Sequence, residues 1–286
     1  MQKLRTHLIG LAAGAALLTS AASTALAQAP NFQITPSVVG GPAGPFTANS
    51  IEGSSSELLT LTPGPLNVGG ATGSGWIQTS AFKEQSVIVN GTGLNNNYAI
   101  YITFSLSDTW TGCDSTHPGC TLGSVGSTYT LNSLSFTMFA DPGTVAHPAG
   151  DDVPVAADAS IPRAATVSDP DGNDKVLGTG SLIGGTAAIF SNGTSSVGAS
   201  LQSSETFSLT AFGSTFFTSP VPFFDLAFDG FNNAGGGVGL NPPYISINDA
   251  SGNIDFARIP EPASAALFGV GLLALGWTVR RRRKVA

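Results

Sequence analysis

Histidine is almost missing from this chain: three occur in 286 residues, and one of them, His7, lies in an apolar leader. His117 and His147 are left as candidate general bases, and each is followed by proline. No Gly-x-Ser-x-Gly elbow accompanies them, so a Ser-His-Asp hydrolase has little to draw on. Charge is scarce too, at 10% of residues. Asp225 and Asp229 stand on one face of an expected strand, about 13 Å apart at roughly 3.3 Å per residue. That is too wide for the paired carboxylates of a glycosidase, so they read as solvating groups. There is no phosphate-binding glycine loop and no His/Cys metal cluster. An enzyme is not the expectation, though an exported hydrolase stays as the least favoured alternative.

Basic residues are confined. Lys3, Arg5 and Arg280, Arg281, Arg282, Arg283 and Lys284 take seven of the 11. Residues 28–258 keep Lys83, Arg163, Lys175 and Arg258 against 17 acids, a formal charge near −13. Such a surface repels nucleic acid and other polyanions. Only two cysteines occur, in Cys113-Asp-Ser-Thr-His-Pro-Gly-Cys120. In an exported chain their default is a disulfide. Asp114 and His117 could join them as metal ligands, but four ligands from one short loop is a cramped geometry.

The two ends are apolar. A basic start, the run Leu8 to Leu18 and the small residues Ala25-Leu26-Ala27 read as a signal peptide over 1–27, cut after Ala27. Near the other end, Ala263 to Val279 carries no charge. As a helix it would rise roughly 26 Å, nearly the apolar thickness of a bilayer. The basic cluster after it should act as a stop-transfer signal and stay cytoplasmic. These residues alone fit either a permanent anchor or a tail removed during maturation.

Pro260-Glu261-Pro262, the apolar run and the arginine cluster together resemble the PEP-CTERM sorting signal of Gram-negative bacteria, over 259–286. The resemblance implies recognition of Pro260, Glu261 and Pro262 by exosortase after export through the secretory translocon. It implies a transient inner-membrane anchor, then release to the cell surface or extracellular matrix. Leu134-Ser135-Phe136, the stretch Phe216 to Leu226 and the last strands resemble, within that group, the flocculation-associated PEP-CTERM proteins. This implies a non-enzymatic protein associated with exopolysaccharide, cell aggregation and biofilm. A surface carbohydrate-binding module, with Tyr101 as a stacking platform, is the alternative.

Between the ends, helical periodicity is lacking and period-two alternation recurs. Tyr98, Ile100, Ile102, Phe104 and Leu106 alternate with Ala99, Tyr101, Thr103, Ser105 and Ser107. Leu134, Phe136 and Met138 repeat the pattern, as do Phe224, Leu226 and Phe228. Residues 28–75 read as brief strands among loops, and the aromatic run Phe216 to Phe224 reads as core. A last hairpin is expected over Asp249-Ala250-Ser251-Gly252-Asn253. The expected fold for 28–258 is therefore an all-β antiparallel sandwich with long loops. One long acidic loop, 141–175, contains Asp169-Pro-Asp171-Gly-Asn173-Asp174. As an EF-hand it fails, because the sixth position is Asp174 and the twelfth Gly180. The string reads first as a turn, with Asp169, Asp171 and Asn173 as a weak set of oxygen ligands for calcium as the alternative. No other cofactor is expected.

Overall fold

Alternation of bulky apolar with small hydroxyl residues produces long strands here, each with one dry and one wet face. The computed structural model describes residues 29–64, 69–143, 150–191, 197–233 and 237–257. The expected signal peptide, with Ala25 and Ala27, lies outside them, as does the C-terminal sorting stretch. Among the described residues no helix is long and apolar enough to cross a membrane.

In chain order, β1 (Phe32–Ile34) and β2 (Phe46–Ala48) flank a 3-10 turn at Pro36–Val39. A long hairpin follows, β3 (Ser50–Thr62) and β4 (Gly70–Glu84), with the short β5 (Val87–Ile88) beside it. β6 (Tyr98–Cys113) and β7 (Ser127–Pro142) flank the cysteine loop. β8 (Val153–Val155) pairs with β9 (Thr166–Ser168). Then come β10 (Lys175–Ser191), β11 (Val197–Leu209), the single-turn helix α1 (Gly213–Phe216) and β12 (Phe217–Ser219). β13 (Asp225–Asn232), β14 (Val238–Asn241) and β15 (Tyr244–Ala257) complete the described chain.

β3, β4, β6, β7, β10, β11, β13 and β15 pair antiparallel in that order. β15 then pairs with β3 along its other edge, and the meander closes into a barrel-like sheet. The all-β, antiparallel expectation holds. The sandwich does not: with β15 bonded on both edges, the path is one sheet curled on itself rather than two facing sheets. The last hairpin is also corrected. Tyr244–Ala257 is one continuous strand, and Asp249, at φ +57°, is absorbed as a bulge between Asn248 and Ala250. Likewise 50–62 and 70–84 are long strands, where brief ones were expected.

The inward faces supply the core. Ile51, Ile77, Ile100, Ile102, Met138, Ile254 and Phe256 are at most 2% exposed. An eight-stranded barrel is only just wide enough for its side chains, so large rings need small neighbours. Phe136 lies over Gly180, its cross-strand partner, where a Cβ would overlap the ring. One end is closed by β1, β2, β12 and α1, which insert Phe32, Ile34, Phe216 and Phe217. Phe32 meets Phe256 edge-on with ring centres 4.8 Å apart, and Phe217 meets Phe223 at 5.0 Å. The aromatic run is thus core, as expected, and β12 with Pro220 and Pro222 crosses the barrel mouth.

The outer face is hydroxylic. Ser105 bonds Ser135 at 3.0 Å, Ser107 bonds Ser133 at 2.6 Å, and Ser181 bonds Thr206 at 3.1 Å. A membrane-spanning barrel would carry an apolar band there. Because Phe256 joins the closing strand to the end plug, Phe256→Ala is expected to cost about 3–5 kcal/mol, measured by urea unfolding. A loss under 1 kcal/mol would contradict this packing.

Candidate functional site

Acidic residues that the chain spreads over 141–174 converge at the plugged end of the barrel, where β7 finishes and β10 begins. Asp141 is the next-to-last residue of β7, and Asp174 immediately precedes β10. Asp141, Asp152 and Asp174 each place a carboxylate oxygen within 4.8 Å of the others, and Asp151, Asp169 and Asp171 form a second such group. Asp141 is 1% exposed. Its Oδ2 accepts the N–H groups of Asp151 (2.8 Å) and Asp152 (3.2 Å). Gly150, at φ +90°, makes that approach possible, since a Cβ there would overlap Asp141 Oδ2. Tyr101 donates its hydroxyl to Asp174 Oδ2. Asn173 Nδ2 donates to Asp171 Oδ2 (2.6 Å) and to the Pro142 carbonyl (3.2 Å).

Among the described residues no lysine or arginine forms an ion pair with this group; Lys83 pairs with Glu52 instead. Burial, then the neighbouring carboxylates, pushes Asp152 up to about 8. Burial likewise raises Asp174 to about 6 and lifts Asp141. The arrangement offers many hard oxygen donors and no nucleophile-base pair.

Of the residues singled out in the sequence, Asp169 and Asp171 sit in the outer group. They make the expected turn: Asp169 Oδ1 accepts from Gly172 N–H at 2.7 Å, and Asp171 Oδ1 from Asn173 N–H at 3.0 Å. Asp141, Asp152 and Asp174 were missed. Tyr101 is corrected: it is 7% exposed and stacks on Phe139 at 4.9 Å, so it offers no sugar platform. The segment bearing β8 and β9 covers its side of the barrel. Trp76 Nε1 donates to the Val155 carbonyl (3.0 Å), and Ala157 N–H donates to Ser56 Oγ (2.8 Å).

The opposite end holds the cysteine loop. Cys113 and Cys120 are disulfide-bonded, so neither is a metal ligand, and His117 pairs with Asp114 at 3.0 Å. Beside the loop lies a cleft of about 530 Å³, lined by Trp110, Leu61, Leu122, Pro242 and Pro243. The Trp110 indole N–H is shielded and has no hydrogen-bond partner among the described residues.

Comparison with known proteins finds a match over residues 258–283 to the PEP-CTERM protein-sorting motif. The chain carries a PEP-CTERM sorting motif. The motif marks an exported, exosortase-targeted protein with a C-terminal membrane anchor before processing. It begins one residue after β15 ends, at the plugged end of the barrel. No curated protein and no solved structure matches the chain.

Three further acids lie inside the barrel. Burial, then Asp108, raises Glu57 to about 7; burial raises Glu205 to about 7 and Asp108 to about 6. Asp108 accepts the Ala71 N–H at 2.7 Å, while both Glu205 oxygens lack partners. The cavities beside Glu57 measure about 20 Å³ each, room for about one water and for no larger ligand. Such raised carboxyls help folding while protonated, below about 4.5, and that contribution is lost as pH rises through about 7. The melting temperature should therefore fall between pH 5 and pH 8. Glu205→Gln should flatten the fall and stabilise at pH 8 by on the order of 3 kcal/mol. Parallel pH profiles for the two proteins would refute the assignment.

Proposed function

We propose that this PEP-CTERM protein is a non-enzymatic component of the cell surface or extracellular matrix, released by exosortase, that associates with exopolysaccharide and promotes cell aggregation. The sorting motif at 258–283 carries the reading. The hydroxyl-lined outer strands support it, because they match the hydration of a polysaccharide gel. So does the acidic ectodomain, whose carboxylates suit bridging of anionic polymer through divalent cations. The test is the mass and compartment of the native protein with and without the host's exosortase. A matrix form lacking residues 263–286, replaced without exosortase by full-length protein in the inner membrane, is the expected result. Intact protein in the inner membrane under both conditions would remove the reading. So would unchanged flocculation in a strain lacking the gene.

A second reading, a carbohydrate-binding module, is favoured by the cleft at Trp110. β15 ends at the plugged end, and this cleft lies at the opposite end of the barrel. Its tryptophan offers an apolar ring against which a sugar face can stack. Trp110→Ala should weaken retardation by the host's exopolysaccharide in affinity electrophoresis by about tenfold, a loss of roughly 1.4 kcal/mol. Equal migration of the two proteins would exclude the site.

A further inference from the structure

We propose that Asp141, Asp152 and Asp174 bind a calcium ion, with Asp151 and Asn173 contributing to its oxygen shell. The central observation is Asp141. Its side chain is 1% exposed, its Oδ1 is buried without a hydrogen-bond partner, and its carboxylate belongs to the group formed with Asp152 and Asp174. It is not alone. Asp151 Oδ1, both Asp152 oxygens, Asn173 Oδ1 and Asp174 Oδ1 are also shielded from solvent without partners. Six desolvated, unbonded oxygens in one neighbourhood carry a large unmet cost in a chain without a cation there.

The geometry suits one ion. Calcium takes six to eight oxygens at about 2.3–2.6 Å. Two ligands on opposite sides of such a sphere stand about 4.6–5.2 Å apart, and the three carboxylates lie within 4.8 Å of one another. A cavity of about 50 Å³ adjoins them, lined by Asp141, Gly150, Asp152 and Tyr101. That volume accommodates an ion with a coordinated water. The donors select among metals: the group is made of carboxylates, without histidine or cysteine among the described residues, which argues against zinc. Donors from three separated stretches of chain, including a loop, suit calcium's flexible coordination better than magnesium's strict octahedron.

The position gives the ion a task. Asp141 belongs to the barrel wall, and Asp174 is tied to the wall through Tyr101. Asp152 opens the covering segment that carries β8 and β9. A bound cation joins wall to cover and replaces repulsion among the carboxylates with attraction. The segment then stays over Trp76 and Leu58, where Ala157, Ala159 and Ala165 pack.

The test uses full-length protein in detergent, stripped of metal by chelation, then given 10 mM calcium or magnesium chloride. Calcium is expected to raise the melting temperature by about 3–6 °C, as for a sub-millimolar to millimolar extracellular site. Magnesium should give less than half that shift, and calcium should slow proteolysis within 150–174. Asp152→Asn should abolish both calcium effects, yet melt no lower than wild type in chelator, because it removes repulsion as well as a ligand. Asp174→Asn serves if that variant fails to fold. Terbium luminescence sensitised by Tyr101 should be lost in either variant. No calcium-dependent shift, protection or heat of binding in the wild type overturns the proposal. Full retention of the calcium response in both Asp152→Asn and Asp174→Asn overturns it equally.

Discussion

The backbone ladder on both edges of β15 is the constraint on which the other elements depend. Its pairing with β3 on one side and β13 on the other turns a meander into a ring. Once closed, every barrel strand has two neighbours, and among the described residues the barrel sheet leaves no long edge to recruit another chain. Closure also fixes the bore, which then dictates composition: bulky rings facing in, glycine where rings crowd, small hydroxyl residues facing out. The plug follows from the same constraint. A ring of eight strands has an open mouth, and the phenylalanines of β1, α1 and β12 fill it against Phe256.

Charge is sorted by the same geometry. The inward face admits few acids, and burial lifts Glu57 and Glu205 to about 7. Asp141, Asp151, Asp152, Asp169, Asp171 and Asp174 gather where β7 ends and β10 begins, so a dense negative charge sits beside the plug. The cysteine loop and the Trp110 cleft occupy the other end. The barrel is thus polar along its axis: one end collects acids and leads to the sorting motif, while the other presents an aromatic hollow.

Much of this was readable from residues, and the limits were physical. Strand faces such as Tyr98 to Leu106 were legible because alternation is a local property. Ring closure was not, since it depends on which distant backbones meet. Asp249 to Asn253 used turn vocabulary, yet continuous registration against β3 outweighed that local preference and left only a bulge. Tyr101 was placed on the correct outer face but given the wrong surroundings, because nothing local shows that residues 150–174 fold back over it. Spacing drew attention to Asp169, Asp171 and Asn173, whereas Asp141, Asp152 and Asp174 meet only through tertiary structure. Glu57 shares parity with Leu59 and Leu61, and Asp108 with Leu106; that parity was the available sign that these acids face inward.

β15 has a mechanical consequence as well. The sorting motif starts at residue 258, directly beyond the strand's last residue, Ala257. Tension applied there runs along β15 itself. Its pairs with β3, from Asp255 with Ser50 to Tyr244 with Thr60, lie side by side across that direction. Pulling must therefore shear many hydrogen bonds together instead of peeling them singly. A protein held by its tail while a gel drags on its body would be gripped by a long seam loaded in shear.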